Sequence, residues 1–226
     1  MTLKPGETGD AEVQLPQDFP DPAKRGQRRA ARITLHEAKR QGYRSRAAFK
    51  LIELDDKLRL LKAGQRVVDL GAAPGGWTQV AVARTRALEG RGTVVAIDIQ
   101  AIDPIPGASI LEGDMSDPAS DAPVMAALGG PADIVLSDMS PATSGHAQTD
   151  HIRIMALAEA AVDFALRHLA PGGAFVAKVF SGGTELHLLA QLKQAFAAVR
   201  HVKPPASRKD SAEIYVVATG FRGPAA

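Results

Sequence analysis

The sequence has no cysteine, which excludes disulfide bridges and thiol chemistry. It has no apolar run of about 18 residues, the length that a membrane-spanning helix needs, and no membrane attachment is expected. Its N-terminal segment lacks the apolar centre of a signal peptide, and its six histidines show no metal-ligand spacing. These absences favour a cytoplasmic protein that works without a metal ion.

The composition is that of an ordinary globular protein. Of the 226 residues, 45% are hydrophobic and 23% are charged, which argues against a disordered or fibrous chain. Residues 1–30 contain four prolines and show no hydrophobic periodicity, as is typical of a flexible arm. We therefore expect an arm over 1–30, one domain over 31–222 and a short tail over 223–226.

Positive charge is concentrated in one segment. The net charge is only +2, yet residues 22–50 hold ten lysines and arginines against one acid, so this segment alone carries +9. A second basic cluster lies near the C-terminus and consists of Arg200, Lys203, Arg208 and Lys209. Basic blocks beside a near-neutral body indicate a polyanionic partner, most often nucleic acid, although a solvated basic tail has the same signature.

Seven short β-rich runs alternate with helical patterns along the rest of the chain. The expected strands lie at 67–70, 93–98, 109–111, 134–138, 174–180, 201–203 and 213–219. The expected helices lie at 45–61, 76–88, 121–128, 148–169 and 184–199. Apolar strands that alternate with helices predict an α/β fold with a parallel sheet covered on both faces. The last two strands have only a basic loop between them, so they are expected to pair antiparallel at the sheet edge.

The sharpest local motif follows the first strand. Residues 67–78 read Val-Val-Asp-Leu-Gly-Ala-Ala-Pro-Gly-Gly-Trp-Thr, a strand that runs through a glycine-rich turn into a helix. Ligands bind at the carboxyl ends of strands in such sheets, and glycines let them approach the backbone. The turn has neither the Gly-x-Gly-x-x-Gly of dinucleotide sites nor the Gly-Lys-Ser/Thr of phosphate loops. It therefore suits a nucleoside with a small polar tail, and a tight turn without a ligand is the simpler alternative.

Four carboxylates stand at or just after the ends of strands, namely Asp69, Asp98, Asp114 and Asp138. Asp98 suits ribose hydroxyls, and Asp114 suits the exocyclic amine of adenine. A single aspartate at such a position is more often a turn or helix-capping residue. Four of them in register indicate a binding site.

Lys178 interrupts the otherwise apolar run over 174–180. Buried lysines are rare unless they are paired or functional. A lysine that is desolvated or lies beside another cation loses its proton more readily, which makes Lys178 a candidate base. The alternative is a lysine that extends to solvent from the end of its strand.

Taken in order, these motifs resemble the FtsJ-type ribosomal RNA large-subunit 2′-O-methyltransferase E family. The stretch 69–77 is similar to the S-adenosylmethionine loop of Rossmann-like methyltransferases. Four further blocks agree with the family, at 44–51, 137–141, 169–173 and 213–220. The resemblance covers residues 40–222 and implies a Rossmann-like class I methyltransferase fold. That fold has a mostly parallel seven-stranded sheet with an antiparallel edge pair.

The resemblance also implies roles for particular residues. The Lys-Asp-Lys-Glu catalytic tetrad of the family falls on Lys50, Asp138, Lys178 and Glu213. The binding site for its cofactor, S-adenosylmethionine, falls on Gly75, Trp77, Asp98, Asp114 and Asp138. No spacing or periodicity in the sequence shows that these residues meet.

The implied reaction moves a methyl group from S-adenosylmethionine to the ribose 2′-hydroxyl of a uridine in the A-loop of 23S ribosomal RNA, in the large ribosomal subunit. Basic residues of 24–50 and 200–209 are expected to hold RNA phosphates, and the protein is expected to be a monomer. Three alternatives stay open: a transfer RNA or messenger RNA cap 2′-O-methyltransferase, a non-catalytic ribosome-assembly factor that binds RNA, and a nicotinamide-dependent reductase. The complete tetrad disfavours the second, and the missing dinucleotide motif disfavours the third.

Overall fold

The structure is a computed structural model and describes residues 35–141, 145–180, 186–207, 211 and 213–223. The arm predicted over 1–30 lies outside these residues, as do Arg208 and Lys209 of the second basic cluster and most of the predicted tail. None of the described helices is both long and apolar enough to cross a membrane.

Six helices and seven strands alternate along the described part of the chain. The helices are α1 (Leu35–Arg40), α2 (Ala47–Leu58), α3 (Gly76–Thr85), α4 (Asp121–Leu128), α5 (Ala147–His168) and α6 (Leu186–Ala195). The strands are β1 (Arg66–Leu70), β2 (Thr93–Asp98), β3 (Ala108–Glu112), β4 (Ala132–Ser137), β5 (Leu169–Phe180), β6 (Phe196–Val202) and β7 (Glu213–Phe221).

All seven strands form one sheet in the order β3-β2-β1-β4-β5-β7-β6. The five strands from β3 to β5 run parallel, whereas β7 lies antiparallel between β5 and β6. The expected sheet, mostly parallel with antiparallel pairing at one edge, is confirmed. The strand order reverses between β1 and β4, and ligands of such folds bind beyond the carboxyl ends of the strands at this point.

Two apolar clusters lie on opposite faces of the sheet because side chains alternate along each strand. Val68 of β1 packs with residues of α4, α5 and α6, and we call this the α4–α6 face. Its neighbour Val67 packs with residues of α1, α2 and α3, and we call this the α1–α3 face. Both faces are covered, which explains why the parallel strands are almost entirely apolar.

The main departure from the expected elements lies before β6. The pattern predicts one helix over 184–199 and a strand over 201–203, but α6 ends at Ala195 and β6 begins at Phe196. Phe196 pairs with Phe221 of β7, and the centroids of the two rings lie 5.2 Å apart. The prediction is wrong because a run of alanine, phenylalanine and valine fits either conformation, and pairing with a distant strand decides between them.

Helix α2 is shorter than the helix expected over 45–61. It ends where Arg59 adopts the left-handed conformation, with a φ of 56°, and donates its N–H to the carbonyl of Asp55. The Asp55 carboxylate accepts the N–H of Leu61 at 2.7 Å. This turn directs the chain away from α2 and towards β1.

Candidate active site

Ionisable side chains meet where the parallel strands end, on the α1–α3 face. Lys178 follows the buried Val176 by two residues in β5, so both side chains point to this face. Its partner in the neighbouring strand β7 is Tyr215, which belongs to the core of the same face. Lys50 comes from α2, which covers this face. The fold thus joins parts of the chain that are up to 163 positions apart.

Lys178 is held by Asp138, directly after β4. Its Nζ donates to the main-chain carbonyl of Asp138 at 2.7 Å and lies 3.3 Å from the carboxylate Oδ1. The lysine side chain is 5% exposed and the aspartate side chain 16%. Lys178 therefore does not extend into solvent, and its charge is compensated inside the protein.

Lys50 and Glu213 form a second pair. Lys50 Nζ donates to Glu213 Oε2 at 3.0 Å, and the two side chains are 8% and 22% exposed. Burial raises the pKa of Glu213, but the charge and hydrogen bond of Lys50, together with the charge of Lys178, leave this pKa below its ordinary value. Glu213 is therefore a carboxylate at neutral pH.

Tyr215 links the two pairs, and the sequence reasoning missed it. Its hydroxyl donates to Asp138 Oδ1 at 2.8 Å, and Lys50 Nζ lies 5.7 Å from the centroid of its ring. Burial, and then the charge of Asp138, raise the pKa of Tyr215 well above 10, so the hydroxyl stays protonated. The available signal was its spacing, because Tyr215 follows Glu213 by two residues in a strand and must share its face.

The two pairs bring two ammonium groups and two carboxylates together in a largely buried cluster without net charge. Such a cluster can orient a substrate hydroxyl through a carboxylate, and a lysine that has given up its proton can receive the proton of that hydroxyl. These are the four residues Lys50, Asp138, Lys178 and Glu213 that the resemblance assigns to the catalytic tetrad.

The glycine-rich turn between β1 and α3 lies beside this cluster, since β1 pairs with β4. Gly71 and Gly75 have φ angles of 71° and 108°, which other residues rarely adopt. A Cβ at Gly71 would clash with Met139, and a Cβ at Gly75 would lie 2.5 Å from Ile105. The glycines therefore let the turn pack against the segments that follow β4 and β2.

Asp98 ties this turn to the end of β2. Its Oδ2 accepts the N–H of Ala73 at 2.9 Å, and its Oδ1 accepts that of Gln100 at 2.8 Å. Each carboxylate oxygen can accept a further hydrogen bond. Asp98 thus has both a fixed position and remaining capacity for a ligand hydroxyl.

Asp114 lies after β3 and is exposed. Its Oδ1 accepts the N–H and the hydroxyl of Ser116 at 2.8 and 2.7 Å, and these hydrogen bonds lower the pKa of Asp114. Its other oxygen, Oδ2, has no hydrogen bond within the described residues. Asp114 is therefore an ionised carboxylate with one oxygen available.

Asp69, in β1, is completely buried. Its Oδ2 accepts the Thr78 hydroxyl at 2.6 Å, while its Oδ1 has no hydrogen-bond partner within the described part of the chain. Burial raises the pKa of Asp69 to about 7; the Thr78 hydrogen bond opposes this rise, and the charges of Asp138 and Asp98 add to it. Through this hydrogen bond Asp69 joins β1 to the first turn of α3 and so stabilises the glycine-rich turn between them.

Trp77 uses its side chain for packing. The indole is 2% exposed, its Nε1 donates to the carbonyl of Ala47 at 2.8 Å, and its ring lies 5.5 Å from that of Tyr215. The ring therefore joins α3 to α2. The group of Trp77 that remains for a ligand is its main-chain N–H, because N–H groups in the first turn of a helix have no intrahelical acceptor.

The described residues contain no group of three or more histidine, aspartate or glutamate side chains arranged to hold a metal ion. The side chains of Arg46 and Arg200, from the two basic segments, make no hydrogen bond or ion pair with the described part of the chain. Arg44 behaves differently, and its guanidinium is bound to main-chain carbonyls of the protein.

Sequence comparison with known proteins identifies the same family that the motifs resemble. The pattern of the FtsJ-like methyltransferase family matches residues 43–221. The chain is 64% identical over 193 residues to the ribosomal RNA large subunit methyltransferase E of Paramagnetospirillum magneticum, covering 84% of this chain and 78% of that protein. It is 60% identical over 185 residues to the protein of the same name from Gluconobacter oxydans, covering 82% and 67%.

Solved structures show the same fold. A crystal structure from Plasmodium falciparum, described as a ribosomal RNA methyltransferase, is 32% identical with a TM-score of 0.71, covering 80% of this chain and 100% of that chain. A chain of the fibrillarin/Nop5p complex is 21% identical with a TM-score of 0.53, covering 80% and 86%, and supports the fold alone. The expected Rossmann-like methyltransferase fold is confirmed.

Proposed function

The chain belongs to the FtsJ-like methyltransferase family, and on this premise we propose that it methylates the ribose 2′-hydroxyl of a uridine in the A-loop of 23S ribosomal RNA. Its relatives named ribosomal RNA large subunit methyltransferase E support an enzyme that acts on ribosomal RNA. S-adenosylmethionine is the methyl donor that the family indicates. The observation that carries the proposal is the pair of contacts from Lys178 to Asp138 and from Lys50 to Glu213, beside the glycine-rich turn.

The polar groups around the turn fit S-adenosylmethionine. Asp98, at the end of β2, can accept hydrogen bonds from ribose hydroxyls. Asp114 can accept a hydrogen bond from the exocyclic amine of adenine through Oδ2. Trp77 offers its main-chain N–H at the start of α3, while the N–H of Gly75 already donates to Ala72 and its carbonyl, which accepts the N–H of Gln79, keeps one lone pair. The carboxylate of Asp138 suits a nearby positive charge. When bound, S-adenosylmethionine supplies a methyl group that is activated by its sulfonium charge.

Lys178 is the proposed base. In its neutral form, Nζ accepts the proton that the 2′-hydroxyl releases as its oxygen takes up the methyl group. The main-chain carbonyl of Asp138 fixes Nζ at 2.7 Å, and the Tyr215 hydroxyl fixes the Asp138 carboxylate at 2.8 Å. These contacts hold the base in one position, which is what alignment of oxygen, methyl group and leaving sulfur requires.

Lys50 and Glu213 are the proposed orienting pair. Glu213 is an ionised carboxylate, so it can accept a hydrogen bond from the 2′-hydroxyl before transfer. Lys50 compensates this charge through its 3.0 Å contact and Ser211 also hydrogen-bonds the carboxylate, which keeps capacity for the substrate because a carboxylate has about four acceptor sites. The substrate hydroxyl is thereby held beside Lys178 instead of rotating freely.

We further propose that basic residues of 24–50 and 200–209 hold the phosphates of the RNA, except Lys50 and Arg44, whose side chains are bound within the protein. The protein is proposed to act as a monomer in the cytoplasm. Arg46 and Arg200 support the phosphate contacts, because their side chains have no partner within the described residues. Phosphate contacts release counterions from RNA, so the affinity for RNA is expected to fall steeply as salt is added.

Transfer of a labelled methyl group tests the proposed reaction. The protein is incubated with labelled S-adenosylmethionine and, separately, with unmodified large subunits, naked 23S ribosomal RNA and transfer RNA. We expect one 2′-O-methyluridine in the large-subunit RNA. Label in transfer RNA alone would keep the chemistry and contradict the substrate, and binding of the donor without any transfer would favour a ribosome-assembly factor.

A further inference from the structure

Arg44 belongs to the segment expected to hold RNA, yet its side chain is bound to two loops of the proposed cofactor site. Nη1 donates to the main-chain carbonyl of Asp103 at 2.7 Å and, over a longer distance of 3.4 Å, to that of Pro74. Nη2 donates to the carbonyl of Pro104 at 2.7 Å. Pro74 lies in the glycine-rich turn, and the other two carbonyls lie in the loop that follows Asp98. One guanidinium thus bridges two loops that leave different strands.

The backbone of Arg44 is fixed as well. Its N–H donates to Gln79 Oε1 at 2.9 Å, and Gln79 Nε2 donates to the carbonyl of Gly42 at 2.9 Å. Gln79 lies in α3, the helix that begins at the glycine-rich turn. The segment between α1 and α2 is therefore attached to α3 through its main chain and to the glycine-rich turn through its arginine.

Gly75 makes room for the contact. A Cβ at this position would lie 3.3 Å from Cδ and Nη1 of Arg44 and 2.5 Å from Cδ1 of Ile105. Ile105 belongs to the same loop as the carbonyls that Arg44 binds, and it is 4% exposed. A side chain at position 75 would have to displace either the isoleucine or the guanidinium.

We propose that Arg44 is a positioning residue of the cofactor site, which holds the turn over 71–76 and the loop over 99–107 in the arrangement that binds S-adenosylmethionine. The inference rests on the proposed function, since it takes this site to be the one that binds the methyl donor. A planar guanidinium can donate two 2.7 Å hydrogen bonds to neighbouring carbonyls, and a lysine ammonium does not reproduce this fork. Arg44 therefore acts by shape as well as by charge.

Arg46 is the matched control. It lies two residues further along the same basic segment, and its side chain makes no hydrogen bond or ion pair within the described residues. Both arginines carry the same charge, so a general loss of positive charge affects them equally. The two positions differ in the contact with the cofactor loops.

Calorimetric titration of the full chain with S-adenosylmethionine tests the proposal, using Arg44→Lys, Arg44→Gln and Arg46→Gln. We expect both Arg44 variants to raise the dissociation constant for S-adenosylmethionine at least fivefold, and Arg46→Gln to leave it within twofold of the wild type. In the transfer assay, the Arg44 variants are expected to raise KM for S-adenosylmethionine with little change in kcat. Arg46→Gln is expected to raise KM for RNA instead.

Arg44→Lys separates a role in positioning the cofactor loops from a role in RNA binding, because it keeps the charge that a phosphate contact needs. Wild-type affinity for S-adenosylmethionine in Arg44→Lys, in a protein whose melting temperature is unchanged, would overturn the positioning role. If Arg44→Gln does not fold, Arg44→Lys alone decides. A wild-type chain that does not bind S-adenosylmethionine at all would overturn the proposed function together with this inference, so the two failures are distinguishable.

Discussion

The two faces of the sheet differ most at the end where the strands finish. In β1, Leu70 is buried on the α4–α6 face, while its neighbour Asp69 points to the α1–α3 face and binds Thr78. In β5, Val179 is likewise buried on the α4–α6 face, while its neighbour Lys178 points to the α1–α3 face. A single step along a strand therefore separates an apolar core position from a polar site position.

This difference separates stability from chemistry. The α4–α6 face buries phenylalanines such as Phe164 and Phe175 completely and carries none of the four residues proposed for catalysis. The α1–α3 face buries charged groups, which lowers stability unless each charge is paired. Substitutions on the first face should therefore change the free energy of unfolding, and substitutions of charged residues on the second should change turnover or the pH dependence of stability.

The largest effect is expected from Lys178→Ala. Removing the proposed base should lower kcat for methyl transfer at least about 1,000-fold, which corresponds to about 4 kcal/mol of transition-state stabilisation. The dissociation constant for S-adenosylmethionine should stay within about twofold, because the proposed donor-binding groups at Asp98 and Asp114 are intact. Single-turnover transfer and calorimetry measure the two quantities, and near-normal turnover would contradict the role of the lysine.

Phe164→Ala should lower stability and leave turnover unchanged, the opposite of what is expected from Lys178→Ala. The side chain is 0% exposed in the core of the α4–α6 face, so its truncation leaves a cavity and should lower the free energy of unfolding by about 3 kcal/mol. Urea denaturation measures this loss. Both kcat and KM of the folded fraction should stay close to wild type, and a large loss of kcat without loss of stability would show that the two faces are not independent.

The fold was predictable from the sequence wherever local patterns decide it. Alternating apolar strands and helices indicated the sheet, and the missing helix before the last strand indicated its antiparallel edge. The boundary at Phe196 was not predictable, because its conformation depends on pairing with Phe221, which is distant in sequence. A helix over 184–199 satisfies the local pattern equally well.

The candidate site was predictable in residue type but not in geometry. The resemblance assigns Lys50 and Glu213 to one tetrad, yet nothing local in the sequence relates residues that lie 163 positions apart. Arg44 shows the opposite limitation. Its charge suggests a contact with RNA phosphate, but in the structure its guanidinium donates hydrogen bonds to main-chain carbonyl oxygens of the protein. A side chain's partner is set by the tertiary fold, and charge patterning alone does not identify it.

Asp69→Asn tests what burying charge on the α1–α3 face costs. In the folded protein the pKa of Asp69 is raised from 3.8 to about 7. Folding therefore favours the protonated carboxyl of Asp69. Its contribution to the free energy of unfolding is fully present below pH 3.8 and is lost as pH rises through about 7. Asparagine does not titrate, so the variant should gain about 4 kcal/mol over the wild type between about pH 4 and pH 8.

Urea denaturation of both proteins at several pH values measures this difference, and comparing the two cancels the titration of all other groups that the substitution leaves unchanged. A difference that stays constant with pH would mean that the ionised carboxylate is accommodated without cost beside Asp138 and Asp98. The α1–α3 face would then tolerate charge as readily as solvent does. A difference that grows with pH would mean that ionising Asp69, which braces the turn through Thr78, opposes folding.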